Sequence, residues 1–167
     1  MRLSLRAVLI GLVALVAIGA LVSAPAALEK TETKFSEGWC QTAGVSLTIE
    51  GAETTTRCAT DFDGTSWQLF TATGNKVRGT AVYPTGFVCQ INGYPQEQDC
   101  MDTPRYDEGS WAFFIAKPGS NKWQYAMTGA ATHFGECGSA EAWIFVPGTE
   151  SPETAKPKTE PKTHKCE

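Results

Sequence analysis

The sequence lacks the short motifs that usually carry catalysis. It contains no Gly-x-Ser-x-Gly, no His-Glu-x-x-His and no glycine loop of the phosphate-binding kind. Histidine is scarce, because only His133 precedes the C-terminal tail. A hydrolytic triad needs such a base, but His133 lies in a glycine-rich segment that we expect to face solvent. We therefore predict that the chain is not an enzyme.

Metal-binding and nucleic-acid-binding patterns are also absent from the sequence. The cysteines never form a Cys-x-x-Cys pair and the histidines do not cluster, so no metal site is expected. Between Phe35 and Pro147 the chain carries twelve acids and six bases, a net charge of −6, with no cluster of Lys or Arg. Since nucleic-acid binding depends on such clusters to neutralise phosphates, it is excluded.

Carboxylates leave one enzymatic alternative open. Five acids lie near the aromatic segment described below: Asp102, Asp107, Glu108, Glu136 and Glu141. Two carboxylates beside tryptophans are the arrangement of a glycan-cleaving site. Acids in loops are more often simply solvated, so a small glycan-active enzyme is only an alternative.

Long hydrophobic runs are missing except at the N-terminus. A basic start, residues 1–6, precedes an apolar run from Ala7 to Val22, and Ala24-Pro25-Ala26 supplies small residues for cleavage. This is the pattern of a secretory signal peptide over residues 1–26. An uncleaved membrane anchor is the alternative, and membrane contact is expected only in that case. We predict a secreted or cell-surface protein.

Cysteine, in contrast, is present in an even number. The six are Cys40, Cys58, Cys89, Cys100, Cys137 and Cys166. In a small exported domain such a set indicates disulfides. Spacing alone leaves the connectivity open, and Cys166 is either the partner of Cys137 or a free thiol.

The most ordered pattern is an aromatic segment from Gly109 to Met127. Aromatic or apolar residues alternate in two arms, Trp111, Phe113 and Ile115 in the first and Trp123, Tyr125 and Met127 in the second. The intervening Pro-Gly-Ser-Asn is turn chemistry, so we predict an antiparallel hairpin with one aromatic face. That face is either the floor of the core or an exposed platform for a ligand.

The remaining elements are predicted from periodicity and turn residues. Residues 45–50 and 54–59 are expected to form strands, and Thr65 with Gln68 forms a capping box for a short helix that ends before Gly74. We expect Trp67 to anchor that helix on the sheet. Further strands are predicted at 77–83 (weak), 87–91 (central in the sheet) and 140–146, with a tight turn at Asn92-Gly93.

Composition divides the chain into four parts, of which the signal peptide over residues 1–26 is the first. Residues 27–38 form a polar leader and residues 39–147 form the domain. Residues 148–167 are rich in Pro, Thr, Lys and Glu, with no apolar side chain larger than that of Ala155. Such a tail cannot bury enough surface to fold, so we predict a disordered, extended spacer.

The order of several motifs resembles a known family. They are Arg57-Cys58-Ala59, Phe87 to Gly93, Asp99-Cys100, Trp123-Gln124-Tyr125 and Glu141 to Phe145. Together they look like exported actinobacterial proteins that are similar to the C-terminal domain of transcobalamin and intrinsic factor. The likeness covers residues 40–146. It departs from the family where Ser110 precedes Trp111, since relatives commonly have a Tyr-Trp pair there.

The resemblance carries expectations about fold, bridges and ligand. It implies an α+β class, with a small β-grasp-like mixed sheet, one short helix and disulfide staples. It favours Cys40 with Cys58 and Cys89 with Cys100, leaving Cys137 and Cys166 as extras. In the eukaryotic carriers this domain covers one side of a corrinoid, so corrinoid capture for uptake is an alternative function.

The leading hypothesis is a non-enzymatic, exported binding module that requires no cofactor. Its partner would be a cell-wall or surface component, or a small apolar or planar ligand. The candidate ligand-binding residues are Trp111, Phe113, Trp123, Tyr125, Asn92 and Tyr94.

Overall fold

A computed structural model describes residues 35–166 of the chain. The predicted signal peptide, residues 1–26, lies outside the described residues, as do positions 27–34 of the polar leader and residue 167. Within residues 35–166 no helix combines the length and apolar character needed to cross a bilayer.

The described residues form eight strands, one α-helix and one 3₁₀ turn. In chain order they are β1 Phe35–Glu37, β2 Gly44–Glu50, β3 Thr54–Thr60, α1 Ser66–Ala72, β4 Val77–Gly79, β5 Val88–Ile91, a 3₁₀ turn at Tyr106–Glu108, β6 Ser110–Ala116, β7 Gln124–Tyr125 and β8 Ala140–Val146.

Six of the strands form one mixed sheet with the order β1-β3-β2-β8-β6-β7. Strands β2 and β8 run parallel at its centre, and the other neighbouring pairs are antiparallel. All seven residues of β2 are buried, as expected for a strand covered on both faces. The predicted α+β class, with a mixed sheet and a short helix, is confirmed.

The sequence predicted the first two long strands correctly and misplaced one later strand. Strands β2 and β3 pair in register from Gly44 opposite Thr60 to Glu50 opposite Thr54. The run from Phe87 to Ile91 was expected at the centre of the sheet, but β5 pairs only with β4 in a separate two-stranded sheet. Its apolar residues are buried as expected. An apolar run indicates burial, however, and does not determine which strand will be its partner.

The helix begins and ends where the sequence indicated. Thr65 is the N-cap, and both hydrogen bonds of the capping box with Gln68 are present. Gly74 follows the helix with φ +70°, a conformation that favours glycine. The anchor on the sheet differs from the prediction: Leu69 and Phe70 are fully buried, whereas Trp67 is half-buried at the edge of the Phe70 ring.

The sheet has two apolar faces, and different parts of the chain pack against each of them. The front face lies under α1 and packs Leu47, Ile49, Trp111, Phe113 and Trp143 with Leu69 and Phe70. The back face is a smaller cluster of Ala112, Phe114, Ala142, Ile144 and Val146. Trp123 and Ala155 pack against this back face.

Three disulfides staple the domain, and the described residues contain no free cysteine. The pairs favoured by the resemblance, Cys40–Cys58 and Cys89–Cys100, are both present. The choice left open by the sequence is decided for Cys137–Cys166. Three disulfides indicate an oxidising, extracytoplasmic compartment.

Both ends of the domain are more ordered than the sequence indicated. The end of the polar leader forms β1, which pairs with β3 and places Glu37 beside Arg57. The tail was expected to be a disordered spacer, and this is wrong for residues 155–166, which lie along the domain. We call residues 155–166 the C-terminal strap. Apart from the packing of Ala155, the contacts described for it are polar or covalent, and a composition poor in apolar side chains does not indicate them.

Candidate functional site

The first arm of the aromatic hairpin belongs to the core. Trp111 and Phe113 are 7% and 6% exposed. Phe113 stacks on Trp143 of β8, with ring centroids 4.5 Å apart and planes within 8°. Of the two readings for this arm, the floor of the core is the one observed.

The second arm does not share the first arm's face. Tyr125 pairs with Phe114, and opposite residues of an antiparallel pair project to the same side of the sheet. Tyr125 and Trp123 therefore belong with the back face, whereas Trp111 and Phe113 belong with the front face. The prediction of one continuous aromatic face is wrong, because the connection between the arms does not preserve the alternation.

Three of the six predicted site residues meet in a cleft at one end of the sheet. Asn92, Tyr94 and Trp111 line a space of about 250 Å³. We call this space the Trp111 cleft. Its other walls are the β2–β3 turn and neighbouring strand positions, namely Ile49, Gly51, Ala52, Glu53, Thr55 and Ile91.

A tight turn after β5 positions Tyr94 in the cleft. Asn92 and Gly93 both have positive φ, 53° and 80°, and Ile91 and Tyr94 exchange two backbone hydrogen bonds of 3.0 Å. This is the turn that the Asn-Gly pair predicted. The Tyr94 ring then meets Trp111 edge to face, with centroids 6.2 Å apart.

The side-chain hydrogen bonds of Asn92 stabilise the turn beside the cleft. Its side-chain oxygen accepts from the Lys76 N–H at 2.9 Å, and its Nδ2 donates to Asn75 Oδ1 at 2.8 Å. Because both ends of the amide are already bonded, Asn92 has less capacity to bind a ligand than the sequence suggested. Its role is to fix the turn that carries Tyr94.

The opposite wall is shaped by a glycine. A Cβ placed on Gly51 would lie 2.8 Å from Trp111 Cη2 and 3.2 Å from Tyr94 Cδ1. No side chain fits there without moving the two rings. Only the fold shows that Gly51 faces Tyr94.

The cleft lining combines two aromatic residues with a few polar ones. The Trp111 Nε1–H is buried, and no described residue accepts its hydrogen bond. The Trp143 indole N–H is in the same state, but Trp143 does not line the cleft. Glu53 is the one carboxylate among the lining residues, which include no histidine, serine or cysteine. The lining can therefore stack on a ring and bond its polar groups, but it lacks the carboxylate pair of a glycosidase.

Comparison with known proteins adds no assignment. No family model, no curated protein and no solved structure matches the chain.

A second polar cluster lies under the helix and was not predicted from the sequence. Ser66 Oγ donates to Glu141 Oε1 at 2.9 Å, and His133 Nε2 lies 3.7 Å from the same oxygen. His133 was expected to face solvent, but its side chain is only 19% exposed because its ring packs edge to face against Phe113. The backbone carbonyl of His133 also accepts from the Ser66 N–H at the start of α1.

The electrostatics of this cluster make it neutral around pH 7. Burial raises the pKa of Glu141 to about 8, against a smaller lowering by the Ser66 hydrogen bond. Burial also lowers the pKa of His133, opposed by the nearby Glu136 carboxylate. The close approach of His133 and Glu141 is thus a contact of neutral groups and not an ion pair. Since Ser66 and Glu141 are almost completely buried, neither can reach a substrate.

The other predicted catalytic acids are not gathered into a comparable site. Asp107 and Glu108 form surface ion pairs with Arg105. Asp102 accepts from the Thr103 N–H in an exposed turn. Within residues 35–166 no group of three His, Cys, Asp or Glu side chains is arranged to hold a metal ion.

Proposed function

We propose that this chain is an extracytoplasmic, non-enzymatic binding module whose ligand enters the Trp111 cleft. The observation that carries the proposal is the meeting of Tyr94 and Trp111 around a cleft of about 250 Å³. An apolar cleft with a few polar groups is the usual form of a small-molecule site. The three disulfides support a location outside the cytoplasm.

We further propose that the domain is a β-grasp-like scaffold, as the resemblance implies. The strand order β3-β2-β8-β6-β7, with parallel β2 and β8 at the centre, supports this assignment. So does the position of α1 between the first hairpin and the later strands. In this scaffold the Trp111 cleft lies at one end of the central strands, beside the β2–β3 turn.

The size and lining of the cleft narrow the ligand class. Clefts for drug-sized ligands measure about 300–1,000 Å³, so this one suits a single ring. The half-buried Tyr94 offers aromatic surface, and the exposed Glu53 offers a polar contact. One sugar unit of a cell-wall polymer, with a ring to stack on Tyr94 and hydroxyl groups to donate to Glu53, meets these requirements.

Titration followed by NMR tests the proposal. The ¹⁵N-labelled chain is titrated with N-acetylglucosamine, with N-acetylmuramic acid and, as a planar apolar probe, with indole. We expect the Trp111 indole N–H signal to shift saturably with an acetamido sugar. Unchanged Trp111 signals with all three probes would contradict the proposal.

A matched pair of variants localises the binding. Ala52 is exposed and lines the cleft, so Ala52→Phe fills the cleft and should abolish the shift. Ala81 is also exposed but lies in another loop, so Ala81→Phe should leave the shift unchanged. Equal effects of the two variants would mean that the probe binds elsewhere.

The two alternatives receive less support. A corrinoid is much larger than a single ring, and the aromatics expected to cover it, Trp111 and Phe113, are 7% and 6% exposed. A glycan-cleaving enzyme would need a second carboxylate opposite Glu53, and the cleft lining has none. Cobalamin titration and a glycan-hydrolysis assay are the corresponding checks.

A further inference from the structure

The back face of the sheet is covered by a segment with almost no apolar side chains. Ala155 is the strap residue that packs on the back-face cluster, together with Trp123 of the hairpin. The rest of the C-terminal strap crosses the domain in an extended form that does not join the sheet as a strand. Its attachment must therefore come from something other than burial of large apolar groups.

The domain holds the strap mainly by its main chain. Both oxygens of the Glu50 carboxylate accept backbone N–H groups, from Lys158 at 3.0 Å and from Thr159 at 2.9 Å. The Trp123 indole N–H donates to the Thr159 carbonyl at 2.6 Å. These three bonds use only the main chain of the strap, so they require an extended segment without proline at positions 158 and 159, and any preference for a sequence must come from its other positions.

Two further hydrogen bonds, one from a side chain and one from the main chain, hold the strap beyond Thr159. Thr163 Oγ1 donates to the Ser120 carbonyl at 2.7 Å, and the His164 N–H donates to the Gly138 carbonyl at 3.1 Å. The disulfide between Cys137 and Cys166 then locks the strap in place.

The sequence of the strap fits this groove through a short repeat. Pro-Lys-Thr occurs at residues 157–159 and again at 161–163. In both copies the Pro and Thr are the less exposed residues and the Lys projects into solvent, with Pro161 buried. Proline fixes φ and holds the preceding residue extended, so such a segment loses little conformational entropy on docking.

Charge also favours the docking of the strap on the domain. Residues 155–166 contain four lysines and one glutamate, while residues 35–147 carry a net charge of −6. A basic peptide on an acidic domain gains from long-range attraction as well as from direct contacts.

We propose that Glu50, Trp123 and the β6–β7 turn form a recognition groove for an extended polypeptide with the Pro-Lys-Thr repeat. The chain fills this groove with its own strap, and the occupant in trans is the same strap of a second copy. Aromatic-lined grooves that read proline-rich segments are an established recognition mode. Neither Glu50 nor Trp123 lines the Trp111 cleft, so the failure of either proposal leaves the other intact.

Two copies of the chain can exchange their straps only when the Cys137–Cys166 disulfide is broken. A strap tethered by a short linker has an effective concentration in the millimolar range, even without a covalent lock. With Cys137 bonded to Cys166 the groove is closed to competitors. A free peptide can therefore bind in the groove only when this disulfide is absent and the chain's own strap docks less tightly.

A peptide-binding experiment tests the groove. The host is the full chain carrying Cys137→Ser and Cys166→Ser, with Pro157→Gly and Pro161→Gly to weaken its own strap. The probe is a fluorescein-labelled peptide of residues 154–165, followed by anisotropy. We expect saturable binding to this host and none to the oxidised wild-type chain. Absence of binding to a host whose circular dichroism matches the wild type would overturn the proposal.

Two controls separate recognition from charge attraction. A peptide of the same composition with scrambled order should not bind, and equal binding of both peptides would overturn the proposal. In the host, Glu50→Gln should weaken binding about tenfold or more, since bonds to a charged acceptor are lost. The matched variant Glu97→Gln, in an exposed turn away from the groove, should leave binding unchanged.

Isotope mixing tests the occupant. Equal amounts of ¹⁵N-labelled and unlabelled full chain are reduced together at high concentration and reoxidised with oxidised glutathione. Mass spectrometry then reads the disulfide-linked peptides that contain Cys137 and Cys166. We expect a fraction of mixed isotope pairs that increases with protein concentration. Only same-isotope pairs at every concentration would overturn exchange between copies.

Discussion

Glu141 is the residue whose surroundings depart most from those expected for its type. It lies on the central strand β8 with its side chain 1% exposed, and its Oε2 has no partner among the described residues. A buried carboxyl with one hydrogen bond is much easier to keep neutral than charged. The pKa of about 8 follows from that burial.

The raised pKa of Glu141 leads to a prediction of how the free energy of unfolding depends on pH. Between the ordinary carboxyl pKa of 4.5 and about 8, the folded chain holds a proton on Glu141 that the unfolded chain has released. The free energy of unfolding should therefore fall as pH rises through this window, by up to about 1.4 kcal/mol per pH unit. The lowered pKa of His133 acts in the opposite direction below its ordinary value of 6.5, so the fall should be clearest from pH 6.5 to 8.

Glu141→Gln isolates the effect. The amide cannot ionise, so urea unfolding of this variant between pH 6.5 and 8 should show a much smaller slope than the wild type. Glu136→Gln, which changes an exposed carboxylate beside the same histidine, should retain the wild-type slope. Parallel pH curves for wild type and Glu141→Gln would contradict the assignment.

At the scale of elements, α1 is too short to be stable alone. It spans seven residues, and isolated helices shorter than about 12–15 residues are marginal in water. Its order comes from the capping box at Thr65 and from the burial of Leu69 and Phe70. The cap could be predicted because it is a local pattern, whereas the buried face depended on where the sheet lies.

Thr65→Ala tests the cap. The change removes the side-chain oxygen that accepts from the Gln68 N–H, and we expect a loss of about 1 kcal/mol in the free energy of unfolding. Thr65→Ser keeps an acceptor and should lose less than half as much. Equal losses in urea unfolding would mean that the Thr65 methyl group, and not its hydroxyl, stabilises the helix start.

At the scale of the whole molecule, the disulfides hold two different kinds of structure. Cys40–Cys58 is buried and ties β3 to the segment before β2, within the sheet. Cys137–Cys166 closes the strap, and Cys166 itself is exposed. One bridge should therefore affect global stability and the other local order.

Hydrogen exchange should distinguish the two bridges. Replacing Cys137 and Cys166 by Ser should lower protection of the Lys158 and Thr159 amides by at least tenfold, while β2 and β8 stay protected. Replacing Cys40 and Cys58 by Ala should cost about 3 kcal/mol of global stability and raise exchange throughout the sheet. An unchanged strap in the first variant would show that the disulfide is not its latch.

Local chemistry was readable from the sequence by itself. The capping box at Thr65, the Asn92-Gly93 turn and the strands β2 and β3 each depend on residues that are close along the chain, so their patterns were sufficient. The even cysteine count predicted disulfides for the same reason, since it reflects compartment and size and not a particular geometry.

Only the tertiary structure decided which distant residues meet. It paired β5 with β4, put Trp123 and Tyr125 on the face opposite Trp111, and placed Gly51 against Tyr94. It also positioned the tail, because two backbone amides of the strap donate to the carboxylate of Glu50, more than a hundred residues away in sequence. Such contacts depend on strand partners and main-chain groups, which every residue carries and no sequence pattern marks.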